Sequence, residues 1–111
     1  MIDPKLKTLL SVVKEGSFTR AAEVLALSQP AVSYHIRQLE AEYAIKIFYR
    51  TPQKLTLTPE GEVLVKYARR LENISENARR ALMDIKQQMR HFTVVITHNC
   101  WESLGGRVFH S

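Results

Sequence analysis

Several things are scarce in this chain. It has one cysteine in 111 residues. A single thiol cannot build a disulfide framework or a cysteine-rich zinc site. No apolar run approaches the roughly 18 residues that cross a bilayer. The start, Met1-Ile2-Asp3-Pro4, lacks the basic segment and apolar stretch of a secretory leader. Glycine and proline number four each, and no low-complexity segment is found. No repeat is visible. These absences leave a soluble cytoplasmic protein, nucleoid-associated if it meets DNA, as the expectation.

What is present in excess is positive charge. Lys plus Arg is 16 against 11 Asp plus Glu, a formal charge of +5. The surplus is uneven. Residues 1–58 hold eight basic and five acidic side chains, residues 59–91 seven and five, and residues 92–111 one of each. A basic surplus is compatible with nucleic acid, though solvated lysines produce one as well.

The apolar spacing reads as helix first. Asp3-Pro4 is a helix start. Leu6, Leu9, Leu10 and Val13 follow on one helical face, and Gly16 stops it. Ser17 caps a second helix with Ala21, Ala22 and Leu25 inward. Ser28 caps a third, with Pro30 in its first turn and Val32, Ile36, Leu39 and Tyr43 as its apolar stripe. The period then changes to two at Ile45–Phe48 and again at Leu55–Thr58, which predicts a hairpin around a turn-rich connection. Thr58-Pro59 restarts a helix that runs to about Arg90.

Residues 18–37 make a helix, a tight turn and a second helix. Small Ala21 and Ala22 allow a close crossing, and Leu25, Leu27, Val32 and Ile36 anchor a steep angle. At 100° per residue, Pro30, Ser33, Tyr34 and Arg37 fall opposite the apolar stripe, with Gln29 at the tip. A short polar face at a helix N-terminus fits a DNA major groove. Arg50 and Lys54 flank the hairpin loop, where phosphate contact would add affinity without reading sequence. The plainer alternatives are a three-helix bundle with a solvated face, and Arg37 paired with Glu40 three residues on. His35, at the edge of the buried side, fits packing better than reading.

The stretches Gly16–Ala22, Ser28–Ser33, Ile36–Glu40, Phe48–Thr51 and Leu57–Gly61, taken together, resemble the N-terminal DNA-binding domain of LysR-type transcriptional regulators, most densely over residues 6–61. The resemblance implies a mainly α winged helix-turn-helix with a two-stranded wing, then a long dimerising linker helix. It implies binding of partly palindromic, double-stranded promoter DNA and no catalysis or cofactor. Carried over by position, it places Gln29, Pro30 and Ser33 at the bases, Arg50 and Lys54 on the wing, and Thr19 and Ser28 toward phosphates. Tyr34, Arg37, Gln53 and Thr58 complete the expected DNA-facing set. The chain departs from the family where Tyr34 replaces a frequent Arg and His35 a frequent Gln. Ala44 also stands where Gly is usual, a costly exchange if that position needs positive φ. The N-terminal domain of molybdate-responsive regulators is a related resemblance.

From Pro59 to Arg90 a helix would span about 48 Å, more than one small domain can bury. Leu64, Tyr67, Leu71, Ile74, Ala78, Ala81, Ile85 and Gln88 alternate spacings of three and four, a heptad seam for a partner helix. A homodimer, with higher oligomers open, would supply two reading heads for a palindrome. The alternative is a helix folded back on its own domain.

The expected organisation is thus residues 1–58 as head (helix-turn-helix 18–37, wing 45–58), 59–90 as linker helix, and 91–111 as hinge and short tail. That tail is the remnant of an effector-domain start, or disordered. Phe92–Thr97 reads as a strand. The effector-sensing domain the resemblance implies needs roughly two hundred residues, so a small-molecule inducer is expected only if such a domain exists beyond this stretch. His98 and Cys100 lack further ligands or a base at useful spacing, so neither a metal site nor a nucleophile is expected. A second reading from another class is an interaction module that keeps the fold without using it on DNA.

Overall fold

The computed structural model describes residues 2–49, 51 and 54–103, with backbone alone for 98–103. Four helices and a two-stranded ribbon follow in order: α1 Pro4–Glu15, α2 Phe18–Leu25, α3 Gln29–Tyr43, β1 Phe48–Tyr49, β2 Thr56–Leu57 and α4 Pro59–Ser103. The chain divides into two compact units, Met1–Ser75 and Glu76–Ser111, with the boundary inside α4.

Local chemistry explains the helix limits of the first unit. Asp3 accepts from the Lys5 backbone N–H at 2.8 Å, and Pro4 opens α1 with φ already helical. Gly16 closes α1 in the left-handed region at φ 68°, its N–H returning to the Val12 carbonyl at 2.9 Å. Ser17 accepts from Arg20 N–H and Ser28 from Ala31 N–H, each at 3.2 Å. The helix-turn-helix corner is made by Ala26 at φ 56°, with Leu27 N–H donating to Ala22 O at 2.9 Å. α3 ends on Ala44, also left-handed at φ 54°. The position where the family usually has Gly therefore does require positive φ, and an alanine occupies it under strain of about 1 kcal/mol.

The core gathers Leu6, Leu9 and Val12 of α1, Ala21 and Ala22 of α2, and Val32, Ile36 and Leu39 of α3, all buried. Ile47 and, from α4, Val65 and Ala68 complete it. Phe18 and Phe48 meet edge to face, ring centres 5.6 Å apart. Two expected anchors are not in this core. Tyr43, at the last position of α3, is 48% exposed along an open groove that it lines with Ile45 and Tyr67, and Leu27 is 39% exposed in the corner between α2 and α3. Leu25 is half-buried.

The strands are shorter and later than the alternation suggests. β1 and β2 pair antiparallel with Phe48 opposite Leu57 and Tyr49 opposite Thr56. Ile45 and Lys46 stay outside the ribbon. The Ile47 N–H donates to the Glu40 carboxylate at 2.9 Å, which turns that segment toward α3. Glu40 is thereby committed to the Ile47 backbone.

Thr58 fastens the base of the wing. Its hydroxyl bonds the Lys46 carbonyl oxygen and accepts from the Gly61 N–H at 3.0 Å, and its own N–H donates to Ile47 O at 2.9 Å. Gly61 is buried, and a Cβ there would collide with the Ile47 carbonyl oxygen. The first turns of α4 can approach the wing only with glycine at this place.

α4 continues past Arg90 to Ser103, so Phe92–Thr97 is helical, not a strand. After Gly61 the sequence offers no Gly or Pro until Gly105. Extending an existing helix is far cheaper than starting one, which outweighs the β-branched run at 93–97.

Candidate nucleic-acid interface

The exposed face of α3 is set by the residues that bury its other side. With Val32, Ile36 and Leu39 turned inward, Gln29, Pro30, Tyr34 and Arg37 are exposed and Ser33 is half-buried. Tyr34 keeps 53% of its surface open. Ser28 and Ser17 spend their hydroxyl oxygens as acceptors on the first free N–H groups of α3 and α2. Thr19 is exposed in the first turn of α2. The N-terminal ends of helices favour anions, because free N–H groups and the helix dipole point outward there.

Arg37 forms no ion pair among the described residues, and the suggested partner Glu40 serves Ile47 instead. Arg37 lies beside Lys46 along a shallow groove at the foot of α3. Lys46 was not among the expected DNA-facing residues. Its only sequence signal was its place as the polar member of the Ile45–Ile47 alternation.

On the wing, Lys54 is exposed, and its carbonyl accepts from the Thr51 hydroxyl at 2.8 Å. Arg50 and Gln53 lie outside the described residues. Thr58, expected to face DNA, is 5% exposed with its hydroxyl engaged by backbone on both sides. It is a fastening of the fold and leaves the DNA-facing set. His98 and Cys100 have side chains outside the described residues.

The expected seam of α4 divides in two. Leu64 packs against the core of its own head. Tyr67, Leu71, Ile74 and Ile85 are 49–65% exposed, and Ala78 and Ala81 are open as well. The cations of Arg70 and Lys66 lie 5.1 and 5.8 Å from the Tyr67 ring centre. Within the first unit, Tyr43, Ile45, Val63, Tyr67 and Leu71 line an open apolar groove of about 520 Å³. No described helix is long and apolar enough to cross a membrane.

Three helices with a polar-faced third, followed by a short antiparallel ribbon, define a winged helix-turn-helix protein. The family model for bacterial regulatory helix-turn-helix proteins of the lysR family matches residues 4–62, and the chain belongs to that family. It is 44% identical over 82 residues to a probable RuBisCO transcriptional regulator of Gracilaria tenuistipitata var. liui, covering 74% of this chain and 26% of that one. It is 43% identical over 74 residues to the HTH-type transcriptional regulator CysL of Bacillus subtilis (strain 168), covering 67% and 25%. The chain thus spans about a quarter of the length of these curated relatives. Among solved structures it resembles the BenM DNA-binding domain in complex with catB site 1 DNA. That match has a TM-score of 0.71 and 33% identity, over 77% of this chain and 96% of that one.

Proposed function

We propose that this chain is the DNA-reading part of a LysR-type transcription regulator, acting by binding and not by catalysis. The observation that carries the reading is the division of α3: Val32, Ile36 and Leu39 buried, Gln29, Pro30, Tyr34 and Arg37 exposed on the opposite side. In this reading the N-terminal half of α3 enters the major groove of promoter DNA. Gln29, Pro30, Ser33 and Tyr34 meet the base edges, and Thr19, Ser28 and Arg37 meet the backbone. Arg50, Gln53 and Lys54 follow the neighbouring phosphates. Likeness to a domain solved on DNA supports this.

The chain works as a homodimer in this reading. Support comes from the apolar groove of the first unit and from the exposed Tyr67, Leu71, Ile74 and Ile85. The head occupies residues 1–58, and the linker helix begins at residue 59. The site of action is the cytoplasm, on the nucleoid. An inducer enters only through a sensing domain of the kind that full-length regulators carry.

A mobility-shift titration on a partly palindromic promoter duplex, at two salt concentrations, tests the proposal. Binding should weaken steeply with salt. Lys54→Ala should weaken all sequences alike, whereas Gln29→Ala should change base preference. An unchanged preferred sequence in Gln29→Ala would refute the assignment of α3 as reader. Absence of salt-sensitive, selective binding would leave the interaction-module reading.

A further inference from the structure

α1 and α3 are joined by one hydrogen bond between side chains, that of His35 with Thr8. The His35 Nδ1 lies 2.7 Å from the Thr8 hydroxyl oxygen. Among the described residues it is the one side-chain to side-chain hydrogen bond that links two helices. Thr8 is 2% exposed, and its hydroxyl also lies 3.0 Å from the Pro4 carbonyl oxygen.

The pair closes in either tautomer of the ring: Nδ1–H donates to the Thr8 oxygen while the hydroxyl donates to Pro4 O, or the hydroxyl donates to a bare Nδ1. In both, the buried Thr8 hydroxyl sets the side from which α3 must approach.

We infer that His35 is a positioning residue for base reading: by its hydrogen bond with Thr8 it sets the rotation of α3 about its own axis. The apolar contacts of Val32, Ile36 and Leu39 hold α3 down but are non-directional. A hydrogen bond of this kind weakens steeply once its angle is lost. Rotation matters because the reading side chains stand about 6 Å from the helix axis, so a turn of about 15° moves their tips roughly 1.5 Å. Ser33, Tyr34 and Arg37 share the turn of helix that His35 pins. The Lys5–Glu42 pair, at 3.9 Å, ties the same two helices near the far end of α3. It is longer and partly exposed, and it restrains rotation less.

The inference rests on α3 being the reading helix, and its test separates the two. A duplex selected from a randomised pool by the unaltered chain is compared with a scrambled duplex of equal length. The quantity read is the ratio of the two dissociation constants. Partial unfolding lowers both affinities by the same factor, so a purely stabilising role leaves the ratio unmoved. Thr8→Val and His35→Leu should each reduce the ratio about fivefold, the equivalent of one hydrogen bond. The two together should do no worse than either alone, and the salt dependence should stay the same. His35→Asn, whose amide keeps a hydrogen-bonding group near the Nδ1 position, should recover most of the ratio.

An unchanged ratio in both single variants, or fully additive losses in the double variant, overturns the role of His35. If the unaltered chain does not distinguish the two duplexes at all, the assignment of α3 as reader falls, and this inference with it.

Discussion

The two units of this chain are stabilised by different means. In Met1–Ser75 every element contributes to one core, and the largest side chains in it, such as Leu9 and Leu39, are wholly enclosed. From Glu76 to Thr97 no residue is buried, although Leu82, Met83, Ile85, Met89 and Phe92 are all large and apolar. The first unit buries enough apolar surface for a fold of its own. The second has hydrogen bonds along its axis and an occasional side-chain pair, and isolated helices are marginal on those terms. The contrast teaches that head stability and helix stability are separable, and substitutions should divide accordingly.

The sharpest break should come at Gly61. Gly61→Ala places a methyl group against the Ile47 carbonyl oxygen and should cost the head about 3 kcal/mol. Denaturant unfolding measures it, and a loss within experimental error would show that α4 can back away from the wing cheaply. The opposite test is Ile85→Ala, half-exposed in the second unit. Head stability should hold within about 0.5 kcal/mol. The proposed self-association, followed by sedimentation, should weaken roughly tenfold, about 1.4 kcal/mol. An equal loss in the head would merge the two units energetically.

A gain is expected at the end of α3. Ala44→Gly relieves a left-handed alanine and should raise the head's unfolding free energy by about 0.5–1 kcal/mol. A fall in midpoint would count against strain at this position. The smallest effect belongs to Glu76, whose carboxylate accepts from Arg79 Nε at 3.3 Å and from Nη2. The Arg79 hydrogen bonds hold its carboxyl below the usual glutamate value, and Arg79 is raised in turn. A depressed folded pKa means the pair contributes above the ordinary glutamate range and fades as pH falls through the lowered value. Arg79 is exposed and Glu76 only partly covered on the helix surface, so circular dichroism should register only a slight loss of helix in Glu76→Gln at neutral pH. No further loss attributable to this pair should appear in that variant on acidification.

Helix starts were legible because capping is local chemistry. Asp3-Pro4, Ser17, Ser28 and Thr58-Pro59 each combine an oxygen acceptor with the right place before an apolar period. The winged helix-turn-helix and the exposed face of α3 followed from periodicity together with the family resemblance. What stayed hidden depended on distant partners. Thr58 looks like a polar residue free for DNA until the Lys46 and Ile47 carbonyls arrive around it. The strand limits moved because Glu40, seven residues earlier, takes the Ile47 N–H. Tyr43 has the spacing of a core residue, but spacing does not say where the core ends. Nothing in the sequence signals Thr8 as a partner of His35, 27 positions away.

The clamp at the foot of the wing has a bearing on how such a head diversifies. Glu40, Ile47, Thr58 and Gly61 fix the hairpin where it leaves and rejoins the body. Thr51 and Lys54, the described residues of the tip, are exposed, and among the described residues the Thr51 hydroxyl bonds the Lys54 carbonyl. Sequence change is therefore cheap at the tip and expensive at the base. A lineage can change the chemistry of the wing tip, one loop residue at a time, without renegotiating the fold that carries it.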